Sequence, residues 1–304
     1  MRVIITGGAG LIGRALTKNL TADGYEVIIL SRAPERVNNL PPGVSAVAWD
    51  GRTAAGWGHL ADGVEAIVNL AGENLSSGWW TAGRKRRIRS SRFEAGQAVV
   101  EAVEMVSNKP KVVLQVSAVG YYGPHGNEPL HEDAQPGSDF LSSVCVDWEA
   151  ATAPVEALGV RRVVARLGVV FSVSGGALPR MLLPFKWFVG GPLGSGRQWL
   201  SWIHLADAVA ALRYLLEHQT ATGSFNVTAP APLTNTDFSR AVGRVLRRPA
   251  FIPVPALALR LALGEMSTLV LTGQRVLPQR LQQLGFTFQF PTAEAALRNL
   301  ITGV

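Results

Sequence analysis

The sequence predicts an α/β fold in which a doubly wound parallel sheet is covered by helices on both faces. Short, almost continuously apolar segments alternate with segments of helical periodicity through the first half of the chain. A glycine-rich turn joins the first apolar segment to the first helical one. After about residue 170 glycine and proline become frequent, and this change predicts a second, smaller α/β lobe.

The first strand and its turn are predicted from the N-terminal residues. The apolar residues 3–5 precede Thr6-Gly7-Gly8-Ala9-Gly10-Leu11-Ile12-Gly13, and residues 14–20 have helical spacing. In such turns the glycines permit a tight turn, close approach of a pyrophosphate and close helix–strand packing. The helix N-terminus adds free N–H groups that attract anions. The pattern predicts a Rossmann-type dinucleotide site at Gly7, Gly10, Leu11, Ile12 and Gly13; the alternative is a tight turn without a ligand.

The second strand, residues 26–30, ends in Ser31 and Arg32. Chains that bind NAD carry an acidic residue about twenty positions after the glycines, where it binds the ribose 2′-hydroxyl. A guanidinium suits the 2′-phosphate of NADP instead, because it forms paired charge-assisted hydrogen bonds. We therefore expect the cofactor NADP(H), bound through Ser31 and Arg32. The alternative is that Arg32 is a solvated loop residue.

The remaining elements continue the alternation. Strands are predicted at 44–49, 66–70, 111–116 and 161–167, and helices at 84–106, 140–158, 207–218, 235–246, 256–272 and 291–300. Because ligands bind at the carboxyl ends of parallel strands, the residues that end these strands are candidate cofactor ligands. They are Asp50, Leu70, Ala71, Gly72, Glu73, Ser117 and Arg166. Glu73 has the alternative role of a helix cap.

Two domains are predicted. Residues 1–170 form the dinucleotide-binding domain, and residues 171–304 form a substrate-facing lobe or lid, although the chain can pass back between the two. The charge-poor, apolar segment 182–200 favours this interpretation. An equally good alternative is that the segment only packs the domains together.

Composition limits the possible functions. Of the 304 residues, 47% are apolar, which is ample for a buried core. The single cysteine, Cys145, excludes an intrachain disulfide. Met1 and Arg2 lead directly into the first strand, and the apolar segment 255–272 is interrupted by Arg260 and Glu265. We therefore expect a cytoplasmic protein without a membrane partner.

The net charge of +7 has a local source in the basic run Arg84–Arg92. A nucleic-acid surface is one interpretation. No aromatic residues interleave the run as a base-stacking platform requires. We favour a solvated helix face with one or two inward-pointing arginines, Arg92 among them, near the cofactor phosphates.

These motifs resemble the extended short-chain dehydrogenases/reductases of the epimerase/dehydratase type. The glycine turn, Asn69-Leu70-Ala71-Gly72 and Trp202-Ile203-His204-Leu205-Ala206-Asp207 carry the resemblance. Further segments resemble an atypical subgroup of epimerase family proteins, also labelled Sula-type or cell-division-inhibitor-like: Ser117-Ala118-Val119-Gly120-Tyr121-Tyr122-Gly123, Asp147-Trp148-Glu149 and Gly190-Gly191-Pro192-Leu193-Gly194-Ser195-Gly196. The resemblance covers essentially the whole chain and implies a Rossmann-type fold that binds NADP(H).

This chain differs from the superfamily at the catalytic positions. The superfamily uses a serine with a Tyr-x-x-x-Lys pair, and the lysine lowers the tyrosine pKa for proton exchange. Ser117 matches the serine, but no Tyr-x-x-x-Lys exists in this chain; Leu141 and Cys145 stand at the two positions. The candidate catalytic residues are therefore Ser117 and Tyr121. Tyr122, Cys145 and His204 have structural interpretations that we favour.

Two functions remain open. The first is an oxidoreductase or epimerase of a small molecule with an unconventional proton donor, and the second is a non-catalytic NADP(H)-binding redox sensor or assembly factor. Polar residues within 125–133 match no known zinc or calcium spacing, so no metal site is predicted. The expected partner is a small-molecule substrate, not nucleic acid, and the expected state is a monomer or homodimer.

Overall fold

Strands and helices alternate as the sequence predicts. The computed structural model describes residues 1–37 and 40–303. The strands in these ranges are β1 (Arg2–Thr6), β2 (Glu26–Ser31), β3 (Val44–Ala48), β4 (Ala66–Asn69), β5 (Val112–Ala118), β6 (Pro129–Leu130), β7 (Arg161–Leu167), β8 (Val169–Phe171), β9 (Trp199–Leu200), β10 (Trp202–His204), β11 (Gly223–Val227), β12 (Leu233–Thr234) and β13 (Arg275–Val276). The helices are α1 (Leu11–Ala22), α2 (Ala82–Met105), α3 (Phe140–Ala150), α4 (Leu178–Lys186), α5 (Leu205–Glu217), α6 (Asn235–Leu246), α7 (Ala256–Leu263), α8 (Thr268–Leu271), α9 (Gln279–Gln283) and α10 (Ala293–Thr302).

One parallel sheet organises the chain. Among the described residues, seven strands pair in the order β3-β2-β1-β4-β5-β7-β11. The strand order reverses between β1 and β4, and such a switch point is where doubly wound sheets bind ligands. In the register, Thr6 of β1 pairs with Leu30 of β2 and with Asn69 of β4. The carboxyl ends of these three strands therefore lie level, and the predicted fold class is confirmed.

Both faces of the sheet are buried, which explains the continuous apolar strands. Ile5 of β1 packs in one cluster with Leu16 of α1 and Leu212 of α5. Its neighbour Ile4 points to the opposite face and packs with Val99 of α2. Since side chains alternate along a strand, a strand covered on both sides is apolar at most positions.

The smaller lobe has a core of its own. Phe171 of β8 stacks on Trp202 of β10 with ring centroids 5.0 Å apart. The cluster around this pair includes Leu182 of α4, Phe238 of α6 and Leu297 of α10. The chain returns to the main sheet after residue 170, because β11 pairs with β7 and α5 packs against α1. The sheet of the first domain is thus completed by residues from beyond the predicted boundary.

Two predicted helices are shorter in the structure. The helix expected over 140–158 ends at Ala150 and is followed by a short 3-10 helix, Ala153–Glu156. Pro154 lies in this segment and has no N–H to donate to a continuing α-helix. The helix expected over 256–272 breaks into α7 and α8 at Gly264, whose φ of 57° is left-handed.

Over residues 1–37 and 40–303, none of the helices combines the length and the apolar character that crossing a membrane requires.

Candidate cofactor and substrate site

The glycine turn between β1 and α1 has room for a ligand and none for side chains. Gly7 has a φ of 66°, and a Cβ there would lie 2.9 Å from the carbonyl oxygen of Leu70. A Cβ on Gly13 would lie 2.5 Å from the Cα of Gly8. Gly10 caps α1 without a side-chain hydrogen bond, so the first N–H groups of the helix are free to bind an anion.

A cavity of about 360 Å³ lies against this turn. It brings together all five residues predicted to bind the pyrophosphate and residues of β8 and the segment after it. The lining is Gly7, Gly10, Leu11, Ile12, Gly13, Leu70, Val169, Val170, Gly176 and Ala177. The smaller lobe therefore closes the groove above the turn.

A buried polar chain holds the ends of β1, β4 and β5 in place. The Thr6 hydroxyl donates to Asn69 Oδ1 at 2.6 Å, and Asn69 Nδ2 donates to Gln115 Oε1 at 2.9 Å. Thr6 Oγ1 also accepts hydrogen bonds from the N–H groups of Leu70 and Ala71, at 3.1 and 3.2 Å. The segment that starts at Leu70 is thus positioned beside the turn. Sequence reasoning did not assign this role to Thr6 or Gln115, although Gln115 interrupts an otherwise apolar strand.

A second cavity, of about 240 Å³, lies beside the first and shares Val169 with it. We call it the inner cavity. Its wall is mainly apolar and comes from the ends of β5 and β7, from α3 and from the segment around α8. It includes Leu75, Arg92, Ala118, Val119, Asp139, Leu141, Val144, Cys145, Trp148, Leu167, Leu200 and Leu269.

Ser117 lies at the end of β5, next to this wall. The residue is 1% exposed and is not itself part of the lining. Its hydroxyl has no hydrogen-bond partner within the described residues. Burial and, after it, the charge of Glu149 raise the pKa of the neighbouring Cys145 thiol to about 12, although Arg92 and Ser117 act to lower it. The thiol is therefore neutral at neutral pH.

Leu141 and Cys145, at the positions of the superfamily pair, both line the inner cavity. Leu141 has no proton to exchange, and the neutral thiol of Cys145 carries no positive charge to replace a lysine ammonium. The two positions on α3 thus still line the cavity, but their side chains supply neither the phenol nor the ammonium of the superfamily pair.

Arg92 of α2 reaches the inner cavity and is absent from the lining of the cavity at the glycine turn. It is 9% exposed, and its Nη1 donates to the carbonyl oxygen of Ile88 at 3.0 Å. Its guanidinium carbon lies 4.9 Å from the ring centroid of Trp148. Burial lowers the pKa of Arg92, yet an arginine keeps its charge in proteins.

Arg166 does not face either cavity. Its Nε and Nη2 bind the two carboxylate oxygens of Glu149 at 2.9 Å each, and its Nη1 donates to the hydroxyl of Tyr122 at 3.0 Å and to the Glu132 carbonyl. The interpretation of Arg166 as a cofactor ligand from its place at a strand end is thus not supported by its contacts. Neighbouring elements use its donors in a buried network.

The two tyrosines after Ser117 belong to the same network. The Tyr121 ring lies under the Arg166 guanidinium, 3.5 Å from its carbon, and is not part of either cavity lining. Tyr122 is fully buried and donates to Asn226 Oδ1 at 2.7 Å. Burial raises the pKa of Tyr122 to about 12. Both rings therefore have packing roles, as the sequence analysis favoured for Tyr122.

Arg32 and Asp50 follow the ends of two neighbouring strands, because β2 pairs with β3 up to Ser31 and Ala48. The Arg32 side chain is exposed and forms no ion pair in the described part of the chain. Ser31 Oγ accepts from the N–H of Ala33 at 3.2 Å. The Asp50 carboxylate accepts from the N–H groups of Arg52 and Thr53 at 2.7 and 2.9 Å. Desolvation raises the pKa of Asp50, but these hydrogen bonds outweigh it and hold the pKa below its usual range.

Glu73 contacts the basic helix α2. Its Oε1 pairs with Arg84 Nη1 at 2.9 Å, and its N–H donates to Ser91 Oγ at 3.0 Å. Arg84 and Arg92 are the buried members of the basic run, whereas Arg86, Arg87 and Arg89 are exposed.

His204 begins α5 as its cap, because its Nδ1 accepts the N–H of Ala206 at 3.0 Å. Burial lowers the pKa of its imidazole. The residues 125–133 that carry histidines and carboxylates do not converge, and no group of three metal-ligating side chains exists among the described residues.

Known proteins resemble this chain in sequence over nearly its whole length. The sequence model of the NAD dependent epimerase/dehydratase family matches residues 3–228, and that of a domain of unknown function, DUF1731, matches residues 254–300. The epimerase family protein YfhF of Bacillus subtilis is 41% identical over 302 residues, which are 99% of this chain and 98% of the relative.

Two solved structures are similar over nearly the whole chain. The human epimerase family protein SDR39U1 with NADPH has a TM-score of 0.90 and 36% identity and covers 100% of both chains. A nucleoside-diphosphate sugar epimerase from Corynebacterium glutamicum has a TM-score of 0.79 and 34% identity, and the match covers 99% of this chain and 58% of that chain.

Proposed function

Because the chain belongs to the NAD-dependent epimerase/dehydratase family, we propose that it is an NADP(H)-dependent oxidoreductase or epimerase of a small molecule. The observation that carries this proposal is the pair of adjoining cavities at the carboxyl edge of the sheet. One lies against the glycine turn and the other against the ends of β5 and α3, and Val169 lines both. A dinucleotide site next to a mainly apolar cavity is an arrangement suited to hydride transfer to a small substrate.

The residues present fit a dinucleotide. The turn leaves no room for side chains at Gly7 and Gly13, and the N-terminus of α1 offers free N–H groups. In this proposal the residues from Gly7 to Gly13 hold the pyrophosphate, and the segment 70–72 borders the nicotinamide end. The similar human protein was solved with NADPH, which supports NADP(H) over NAD(H).

Arg32 is the proposed ligand of the 2′-phosphate, because its side chain is exposed and without an ion pair in the described chain. Ser31 stabilises the loop that carries it. Asp50, Glu73 and Arg166 are not among the proposed ligands, since their charged groups are already bound by Thr53, Arg84 and Glu149.

Bound NADP(H) would supply the hydride donor or acceptor. The protein has to exclude water, orient the substrate and control its proton. The mainly apolar wall of the inner cavity would reduce the contact of a bound substrate with water. Ser117, whose hydroxyl has no partner in the described structure, is the proposed hydrogen-bond donor to a substrate oxygen. Tyr121 is not assigned a catalytic role, because its ring packs under Arg166.

A second candidate function is a redox sensor that binds NADP(H) without catalysis. The absence of Tyr-x-x-x-Lys favours it, since Leu141 and Cys145 provide neither the phenol nor the ammonium. Both functions require the same cofactor site, so cofactor binding alone does not separate them.

The test combines calorimetric titration with NADPH and the consumption of NADPH, followed by absorbance, over a panel of carbonyl compounds. We expect tight binding, and turnover of at least one compound that Ser117→Ala reduces at least about tenfold. Binding without NADPH consumption over a broad panel would contradict a net oxidoreductase. Because an epimerase returns its hydride and consumes no cofactor, inversion of chiral alcohols followed by NMR separates an epimerase from the sensor. Absence of NADPH binding would contradict both candidates.

A further inference from the structure

Arg92 is a buried cation that uses few of its donors within the described part of the chain. It is 9% exposed, and its one hydrogen bond in the described structure goes from Nη1 to the carbonyl oxygen of Ile88. No carboxylate forms an ion pair with it in the described part of the chain. An arginine has five N–H donors, and burying a charge without a partner is unfavourable. The remaining N–H groups of Arg92 are therefore available to bind a ligand.

The position of the guanidinium is restricted from two sides. Trp148 of α3 lies on one side, with its ring centroid 4.9 Å from the guanidinium carbon. Gly72 lies on another, so close that a Cβ there would be 3.0 Å from the same carbon. A cation over an aromatic face is stabilised electrostatically, and the planar fork keeps its orientation. The site is thus preorganised before any ligand arrives.

The rest of the inner cavity does not neutralise this charge. The other charged residue in its lining, Asp139, caps α3 and accepts hydrogen bonds from the N–H and hydroxyl of Ser142 at 2.8 and 2.6 Å. Glu73, whose charge also acts on Arg92, is paired with Arg84 at 2.9 Å. The cavity therefore combines an apolar wall with one available positive charge.

We propose that Arg92 binds an anionic group of the substrate, a carboxylate or a phosphate monoester, while the apolar wall holds the remainder of the molecule. This inference rests on the proposed function, because it names the substrate class of the same site. It also reassigns Arg92, which the sequence analysis placed near the cofactor phosphates. The reassignment follows from its place in the inner cavity and its absence from the cavity at the glycine turn.

The test uses hexanoate, hexyl phosphate and uncharged hexanamide as probes. Their binding to the 304-residue chain is measured by calorimetry with and without saturating NADPH, and the Kd of NADPH is measured separately. We expect one of the two anions to bind at least about tenfold more tightly than hexanamide, as a charge-assisted pair predicts. The anion that binds more tightly identifies carboxylate or phosphate as the preferred group.

Variants of Arg92 and Arg89 test whether Arg92 is responsible for the binding of the anion. Arg92→Gln should reduce the affinity for the preferred anion at least about tenfold and leave hexanamide unchanged, and Arg92→Lys should retain part of the affinity because it keeps the charge without the fork. Arg89→Gln is the matched control, since Arg89 lies on the same helix, pairs with Asp147 and does not line the cavity. Thermal unfolding of each variant checks that it is folded.

Equal binding of the anions and hexanamide, or unchanged anion binding by Arg92→Gln, would overturn the inference. So would an increase in the Kd of NADPH in Arg92→Gln with the anion preference retained, because that result assigns Arg92 to the cofactor. If the wild type does not bind NADPH, the proposed function fails, while the anion comparison without NADPH still decides the role of Arg92.

Discussion

Arg166 and Glu149 form a bidentate ion pair in the interior, with Nε–Oε1 and Nη2–Oε2 both 2.9 Å. The two residues come from β7 and α3, and their side chains are 5% and 11% exposed. Because α3 also carries Cys145, the pair ties the wall of the inner cavity to the sheet. Arg166 extends this link to Tyr122.

Breaking this pair should destabilise the protein without abolishing cofactor binding. Arg166→Met leaves the Glu149 carboxylate buried and unpaired, which should lower the free energy of unfolding by about 3–5 kcal/mol. The double variant Arg166→Met/Glu149→Leu removes both charges and should recover most of the loss. Urea unfolding measures both. A double variant as unstable as the single one would contradict the ion-pair account.

Adding one methyl group to the glycine turn should prevent NADPH binding. In Gly13→Ala the new Cβ would lie 2.5 Å from the backbone of Gly8, so the turn has to open. We expect the Kd of NADPH to rise at least about tenfold, because the N–H groups of the turn can no longer reach the phosphates. Gly83→Ala is the control, because its nearest neighbours are side-chain atoms of Arg86 and Arg87 at 3.9 Å. Unchanged NADPH binding by Gly13→Ala would contradict the site.

Arg32 should determine the preference for NADPH over NADH. Its loss in Arg32→Ala removes charge-assisted hydrogen bonds to the 2′-phosphate, and the Kd of NADPH should rise by roughly 10- to 100-fold with little change for NADH. Arg36→Ala is a suitable control, since Arg36 is also exposed and pairs only with its neighbour Glu35 in the described structure. Calorimetry with both cofactors measures the ratio. An equal preference in the wild type and Arg32→Ala would show that Arg32 is a solvated loop residue.

Ionisation of the Cys145 thiol in the unfolded chain should lower the free energy of unfolding at high pH. Burial raises the pKa of this thiol from the usual 9.0 to about 12, so the folded protein binds this proton more tightly than the unfolded chain. The contribution is complete below pH 9 and is lost as pH rises towards 12. Between pH 8 and pH 10 it should lower the free energy of unfolding by about 1 kcal/mol.

The comparison with Cys145→Ala isolates this contribution from that of Tyr122, whose pKa is also raised. Urea unfolding at the two pH values should show a smaller decrease for the variant than for the wild type. Because Cys145 is the single cysteine, iodoacetamide should label the native protein at pH 8 far more slowly than the urea-unfolded chain. Parallel decreases in the two proteins would rule out a thiol contribution.

The parallel sheet, the glycine turn and the family can all be predicted from the sequence. These features are local: the apolar runs have the length of buried strands, and the left-handed φ at Gly7 needs a glycine where it stands. The family resemblance is confirmed by the matching family and by a relative of 41% identity. The ends of α3 and α7 were missed because Pro154 and Gly264 interrupt otherwise favourable helical patterns.

Which charged side chains have partners in the described part of the chain cannot be read from the sequence and follows from the packing of its elements. Arg32, Asp50, Arg92 and Arg166 were expected at one cofactor site. In the structure Asp50 is bound by its own turn, Arg166 by Glu149, and Arg92 reaches the inner cavity. The partners that occupy a polar side chain come from elements distant in the sequence, such as β7 and α3. A strand-end position therefore predicts where a side chain begins, while packing between elements determines what it binds.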